Sequence, residues 1–199
     1  YYNAGYSAAY WDRHWTDAVK NLTNVIDRTE GDPERVNLNS FAKIMRAFDL
    51  HKMTDLYGDI PYAQGGRGLN AEENWFPVYQ PQQEVYAQIV ADIKSARDAM
   101  SASADQLGDQ DILYKGDVAK WKKFANAFLM RVAMRMSNVD AATAQSVFTE
   151  AVTNGTFESN ADNAFFKQVL GHGGDINFNG TSLAMSNAAG GGGGNQSRI

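Results

Sequence analysis

The stretch AKIMRAFDLHKMTDLYGDIPYAQ, residues 42–64, reads as one long helix brought to a sharp halt. Phe41, Ile44, Met45, Phe48, Met53 and Leu56 give it and its preceding residue one apolar side at helical spacing. Gly58 can take a positive φ and end the helix. Pro61 forbids continuation and biases Ile60 toward an extended shape. Asp59 suits the turn, because its carboxylate can accept from nearby backbone amides. Asn39 or Ser40 can cap the start. Tyr57–Tyr62 therefore reads as a helix stop rather than a ligand contact.

Upstream, Trp11, Trp15, Ala18, Val19, Leu22 and Ile26 form a second apolar stripe, closed by Gly31, Asp32 and Pro33. The opening YYNAGYSAAYW has no helical period and reads as irregular to about Tyr10. Downstream, a helix runs from about Gln82 to Met100 with Val85, Ile89, Ile93, Ala96 and Met100 inward. Another starts after Asp117 as N-cap and buries Trp121, Phe124, Ala125, Phe128, Val132 and Met136. A last one covers about Ala141 to Thr153, with Ala144, Val147, Phe148 and Ala151 inward and Gly155 at its end.

Helices beginning near residues 40, 82 and 118 recur at roughly 40 residues, which is compatible with tetratricopeptide-like or HEAT-like pairing. Such helices bury their stripes by stacking on one another. The expected fold is all-α, a tetratricopeptide-like helical repeat or α-solenoid with long irregular loops. The helical domain is expected over residues 1–155. Residues 156–199 read as the start of an irregular ligand-binding part or a flexible Gly-rich tail, with Phe165–Leu170 a short strand or helical turn.

Hydrophobic residues make up 44% and charged ones 21%, ordinary for a globular chain. The net charge of -5 offers no attraction to nucleic acid or anionic lipid. Lys120, Lys122 and Lys123 read as a solvated face. There is no cysteine, hence no disulfide or cysteine zinc site within the chain. No apolar run reaches the eighteen or so residues that span a bilayer.

Catalytic patterns are weak. His14, His51 and His172 form no H-E-x-x-H pair. His51 with Asp55, and His14 with Asp17, read as ordinary helix-surface pairs. Asp105, Asp109, Asp111 and Asp117 lack EF-hand spacing and read as a solvated acidic loop. Glu72 and Glu73 are adjacent, which does not make the facing pair that glycoside hydrolysis needs. The glycine clusters at Gly65–Gly68 and Gly171–Gly174 lack the following Lys-Ser/Thr of a phosphate loop. No catalytic residue, metal site or cofactor is expected.

Three stretches carry a family resemblance. Ala42–Gln64, ending in Tyr-Gly-Asp-Ile-Pro-Tyr, resembles a motif of the SusD/RagB family, in particular its second SusD-like branch. Gly116–Ser137, GDVAKWKKFANAFLMRVAMRMS, resembles that family's Gly-Asp-x-x-Lys-Trp-x-Lys-Phe-Ala-Asn helix. Gln83–Ala96, QEVYAQIVADIKSA, lies between them in matching order and spacing. The resemblance implies a non-catalytic, surface-exposed outer-membrane lipoprotein. Its partner would be a SusC-like TonB-dependent barrel, and its ligand an oligosaccharide or, in some branches, a peptide. It also implies that this chain is the N-terminal portion of a longer protein, with membrane contact only through a lipid anchor outside it.

Sugars present an apolar face and a hydroxyl rim, which rings can stack on and polar side chains can satisfy. Two irregular segments have that mix. Tyr6 and Trp11 stand in the opening segment; Arg67, Asn74, Trp75 and Tyr79 stand in the long loop between Gly58 and Pro81. These six are the candidate ligand-binding residues. The other reading of the same helices is a scaffold for protein partners alone.

Overall fold

The computed structural model describes residues 4–68, 70 and 72–166, without the side chains of Tyr6, Ser7 and Glu73. The Gly-rich tail, with His172, and the end of the expected Phe165–Leu170 element lie outside the described residues. The chain divides into two units, Tyr1–Asn163 and Ala164–Ile199. All the described helices belong to the first unit.

They are α1 (Ala4–Arg13), a π-helical segment (His14–Val19), α2 (Lys20–Thr29), α3 (Val36–Tyr57), α4 (Gln82–Ala99), α5 (Val118–Met136) and α6 (Ala141–Thr153), with three short 3-10 turns between and after them. No strand occurs among the described residues beyond one antiparallel bridge, Ile60 to Gln80. The fold is mainly α. Helices α2 to α6 pack on one another in sequence order.

The hydrogen bonds fix their direction. Asn37, at the start of α3, donates from Nδ2 to Ser101 O at 2.8 Å, just past the end of α4. Gln82, at the start of α4, donates to Thr54 O near the end of α3 at 2.7 Å. The two helices are therefore antiparallel. The shared core holds Ile44, Leu50, Met53, Val85, Ile89, Ile93, Leu129 and Val132, all fully buried. Each such side chain contributes about 2 kcal/mol of apolar burial. Phe41 stacks on Trp121, with ring centroids 4.5 Å apart.

Several helix ends follow their local chemistry. Gly58 takes φ 77 and its N–H bonds Thr54 O at 2.9 Å. Asp117 caps α5 by accepting from Lys120 N at 3.1 Å. Leu56 departs from its expected inward position and is 57% exposed.

Four larger corrections concern the opening segment, the start of α3, Asp111 and Lys123. The opening segment is helical from Ala4, not irregular to Tyr10. Helix α3 begins at Val36, so Asn39 and Ser40 are buried inside it. Its first amides are met from afar: Asp105 Oδ1 accepts from Asn37 N at 2.7 Å and Oδ2 from Leu38 N at 3.0 Å. Asp111 is also buried rather than solvated, and accepts from the Trp121 indole at 2.7 Å. Lys123 is no free surface charge either; it pairs with Glu158 at 2.6 Å and Asp162 at 3.2 Å.

Candidate functional site

The long loop between α3 and α4 is held from below. Ile60 and Gln80 close its neck, with Gln80 N donating to Ile60 O at 3.0 Å. Asp59 Oδ1 accepts from Gln82 N at 2.9 Å, so the turn residue caps the next helix. Side-chain amides bind the two arms: Gln80 Oε1 accepts from Ala63 N and Gln64 Oε1 from Val78 N, both at 2.7 Å.

Two glycines let the loop lie against the first helical layer. A Cβ on Gly65 would overlap the Trp15 ring and sit 2.5 Å from Pro61 O. Gly66 has φ 84, and a Cβ there would meet Thr23 Oγ1 at 2.9 Å. These glycines serve close approach, consistent with the absence of a phosphate-loop pattern.

Above this base the loop exposes apolar surface. Trp75 is 60% exposed, Phe76 88%, Val78 66% and Tyr79 56%, four large apolar side chains within five residues. Asn74 ends the short 3-10 turn Glu72–Asn74 and is half-buried. The Trp75 indole donates from Nε1 to Gly68 O at 3.0 Å, which fixes one edge of the ring.

The loop and the opening helix meet at Tyr79. Its ring lies parallel to Trp11, at 11° and 6.0 Å between centroids. Trp11 in turn meets Tyr57 edge-on at 5.2 Å and Trp15 at 5.5 Å. The candidates Trp11 and Tyr79 are thus brought together. Tyr6 lies on α1, but its side chain lies outside the described ones. The Arg67 guanidinium faces Asp27 on α2, donating from Nη2 to Oδ1 at 2.9 Å and from Nε to both oxygens at 3.2 Å. Burial pushes the Asp27 carboxyl up, but the bonds and charge of Arg67 outweigh it and leave the pKa below 3.8.

The π-helical segment gives the ring cluster its shape. Lys20 N reaches back five residues to Trp15 O. This wider turn keeps Trp11, Trp15 and Val19, spaced by four, toward α3 and the loop. It also carries His14 to Asp49, at 2.5 Å, rather than to Asp17 as its helix spacing suggested. Tyr10 stacks on His14 at 3.7 Å. Burial is the largest influence raising the Asp49 carboxyl above its ordinary range. Trp15 and Tyr57 were not among the expected site residues, though Trp15 was visible as part of the first stripe.

The arrangement is an antiparallel helical scaffold that displays a tethered aromatic loop. Residues 1–180 match the second SusD-like family model, described as starch-binding and associating with the outer membrane, and the chain belongs to that family. A chitin-binding protein of known structure is 35% identical, with TM-score 0.76 over 82% of this chain and 34% of that one. A SusD-like protein from Bacteroidetes, AC2a, is 29% identical, with TM-score 0.77 over 85% and 31%. A chitin-binding SusD homolog from Flavobacterium johnsoniae is 27% identical, with TM-score 0.67 over 76% and 32%. The chain therefore spans about a third of the length of these structures. No curated relative matches it.

Proposed function

We propose that this chain is the helical part of a non-catalytic, surface-exposed outer-membrane lipoprotein that captures oligosaccharide and delivers it to a SusC-like TonB-dependent barrel. The observation that carries this reading is the exposed ring surface, Trp75 to Tyr79, on a loop tethered at both ends to the helices. Trp75 and Tyr79 stack on the sugar face, Trp11 backs Tyr79, and Asn74 serves the hydroxyl rim. Chitin binding by two similar proteins, and the starch-binding description of the family, support a glycan over a peptide.

Calorimetric titration with chitohexaose and maltohexaose tests this. Trp75→Ala and Tyr79→Ala should each weaken a bound probe about tenfold, one ring stack's worth, while lowering the melting temperature by no more than about 5 °C, the loss of one surface ring contact. Absence of binding by the intact chain and both variants would favour the scaffold reading. A groove of about 700 Å³ also lies between the start of α4 and the α5–α6 turn. Tyr86, Val90, Met136 and Val139 line it.

A further inference from the structure

Arg67 has a sugar-binder's chemistry but is already occupied. Its guanidinium makes three contacts of 2.9–3.2 Å to Asp27 and a further bond to Ala63 O. Asn70 Nδ2 adds a 2.6 Å bond to Asp27 Oδ2. The next residue after Arg67, Gly68, provides the carbonyl on which the Trp75 indole hangs. Arg67 O also accepts from Asn70 N at 2.8 Å, closing the turn that leads to Trp75. A continuous set of bonds thus runs from Asp27 on α2, through Arg67 and Gly68, to the edge of an exposed ring.

We propose that Asp27 and Arg67 form a clamp that sets the orientation of Trp75, so that Arg67 acts on ligand affinity as a positioning residue without touching the ligand. The inference rests on the glycan-capture reading for its functional consequence, but not for its geometry. A fork-shaped guanidinium on a carboxylate holds direction as well as distance, which suits this task better than a lone ammonium. Holding the ring in place before binding removes part of the ordering cost that binding otherwise bears.

The test uses the ¹⁵N-labelled chain, with the Trp75 indole N–H resonance assigned through Trp75→Phe. Arg67→Gln and Asp27→Ala should both shift that resonance and raise its solvent exchange. Both should weaken chitohexaose or maltohexaose by about the same factor, roughly tenfold, and the double variant should be no weaker than either. Arg67→Lys, which keeps the charge but loses the fork, should fall between. Below pH 4 the wild-type resonance should move as Asp27 protonates, and in Asp27→Asn it should not. An unmoved indole in both single variants would overturn the clamp. So would a loss of affinity in Arg67→Gln with none in Asp27→Ala, the pattern of a direct ligand contact. If neither sugar binds any form, the capture reading fails while the indole resonance still decides the clamp.

Discussion

The guanidinium of Arg46 lies 4.8 Å from the centre of the Tyr62 ring and donates from Nη2 to the carbonyl of that same residue. Its Nε donates to Thr23 Oγ1 at 2.9 Å, and the Tyr62 hydroxyl donates to Asp92 Oδ2 at 2.7 Å. Two side chains therefore join α2, α3, α4 and the root of the aromatic loop. Arg46 is 5% exposed, so its bonds are made where water cannot replace them.

Arg46→Met keeps the apolar stem and removes these donors. It should cost about 3 kcal/mol, because Thr23 Oγ1 and the loop carbonyls lose their buried partner. That corresponds to roughly 10 °C in melting temperature for a chain of this size. Proteolysis near Gly65–Gly68 should accelerate as the loop root lifts. An unchanged melting curve would mean the loop docks without Arg46.

Gly65→Ala places a methyl group inside the Trp15 ring and against Pro61 O. The backbone oxygen cannot swing aside, so the loop must shift, at about 2 kcal/mol. Gly68→Ala is the control: its Cβ would meet the Trp75 ring at 3.8 Å, an ordinary contact. That variant should cost less than about 1 kcal/mol. Equal denaturant midpoints for the two would refute close approach as the reason for Gly65.

Helix ends with a local cause were legible in the sequence: Gly58, Asp117 and the span Ala141–Thr153 stand where expected. The start of α3 was not, because its cap is Asp105, 68 residues away from Asn37 along the chain. Asn39 and Ser40 have capping chemistry, yet they point inward, and Asn39 donates to Ile26 O at 3.1 Å instead. The loop rings could be picked out because they fall outside any periodic stripe. The Asp27 partner of Arg67 could not, since an acidic residue on a helix carries no mark of what the fold brings to it. Asp111 was hidden for the same reason, inside a run of carboxylates that looks uniform in sequence.

Asp111→Ala exposes that difference. The Asp111 carboxylate accepts from Leu113 N at 2.9 Å, Gly116 N at 2.9 Å and the Trp121 indole at 2.7 Å. Removing it strands buried donors, at about 3 kcal/mol. Asp109, two residues earlier, has a 98% exposed side chain paired with Lys115. Asp109→Ala should change stability by less than about 0.5 kcal/mol. Urea unfolding of both variants measures the contrast, and equal losses would restore the picture of a solvated acidic loop.

His51 supplies a pH prediction. The side chain was expected at a helix surface beside Asp55, but it is 5% exposed. Its ring meets Tyr86 and Phe128 edge-on, at 5.4 and 5.5 Å. Its Nε2 is buried without a hydrogen-bond partner, 3.9 Å from Asp55 Oδ2. Burial, aided by Arg135 and Arg131, outweighs the attraction of Asp55 and holds the folded pKa below 6.5. Below that ordinary value the unfolded chain binds a proton that the folded one does not. Stability must then rise with pH in this window and be lost as pH falls from 6.5 toward the folded pKa. Thermal unfolding between pH 7 and pH 5 should show the melting temperature falling on acidification. His51→Gln cannot titrate and should flatten that dependence, whatever its own stability. The same slope in both proteins would place the responsible proton on another group.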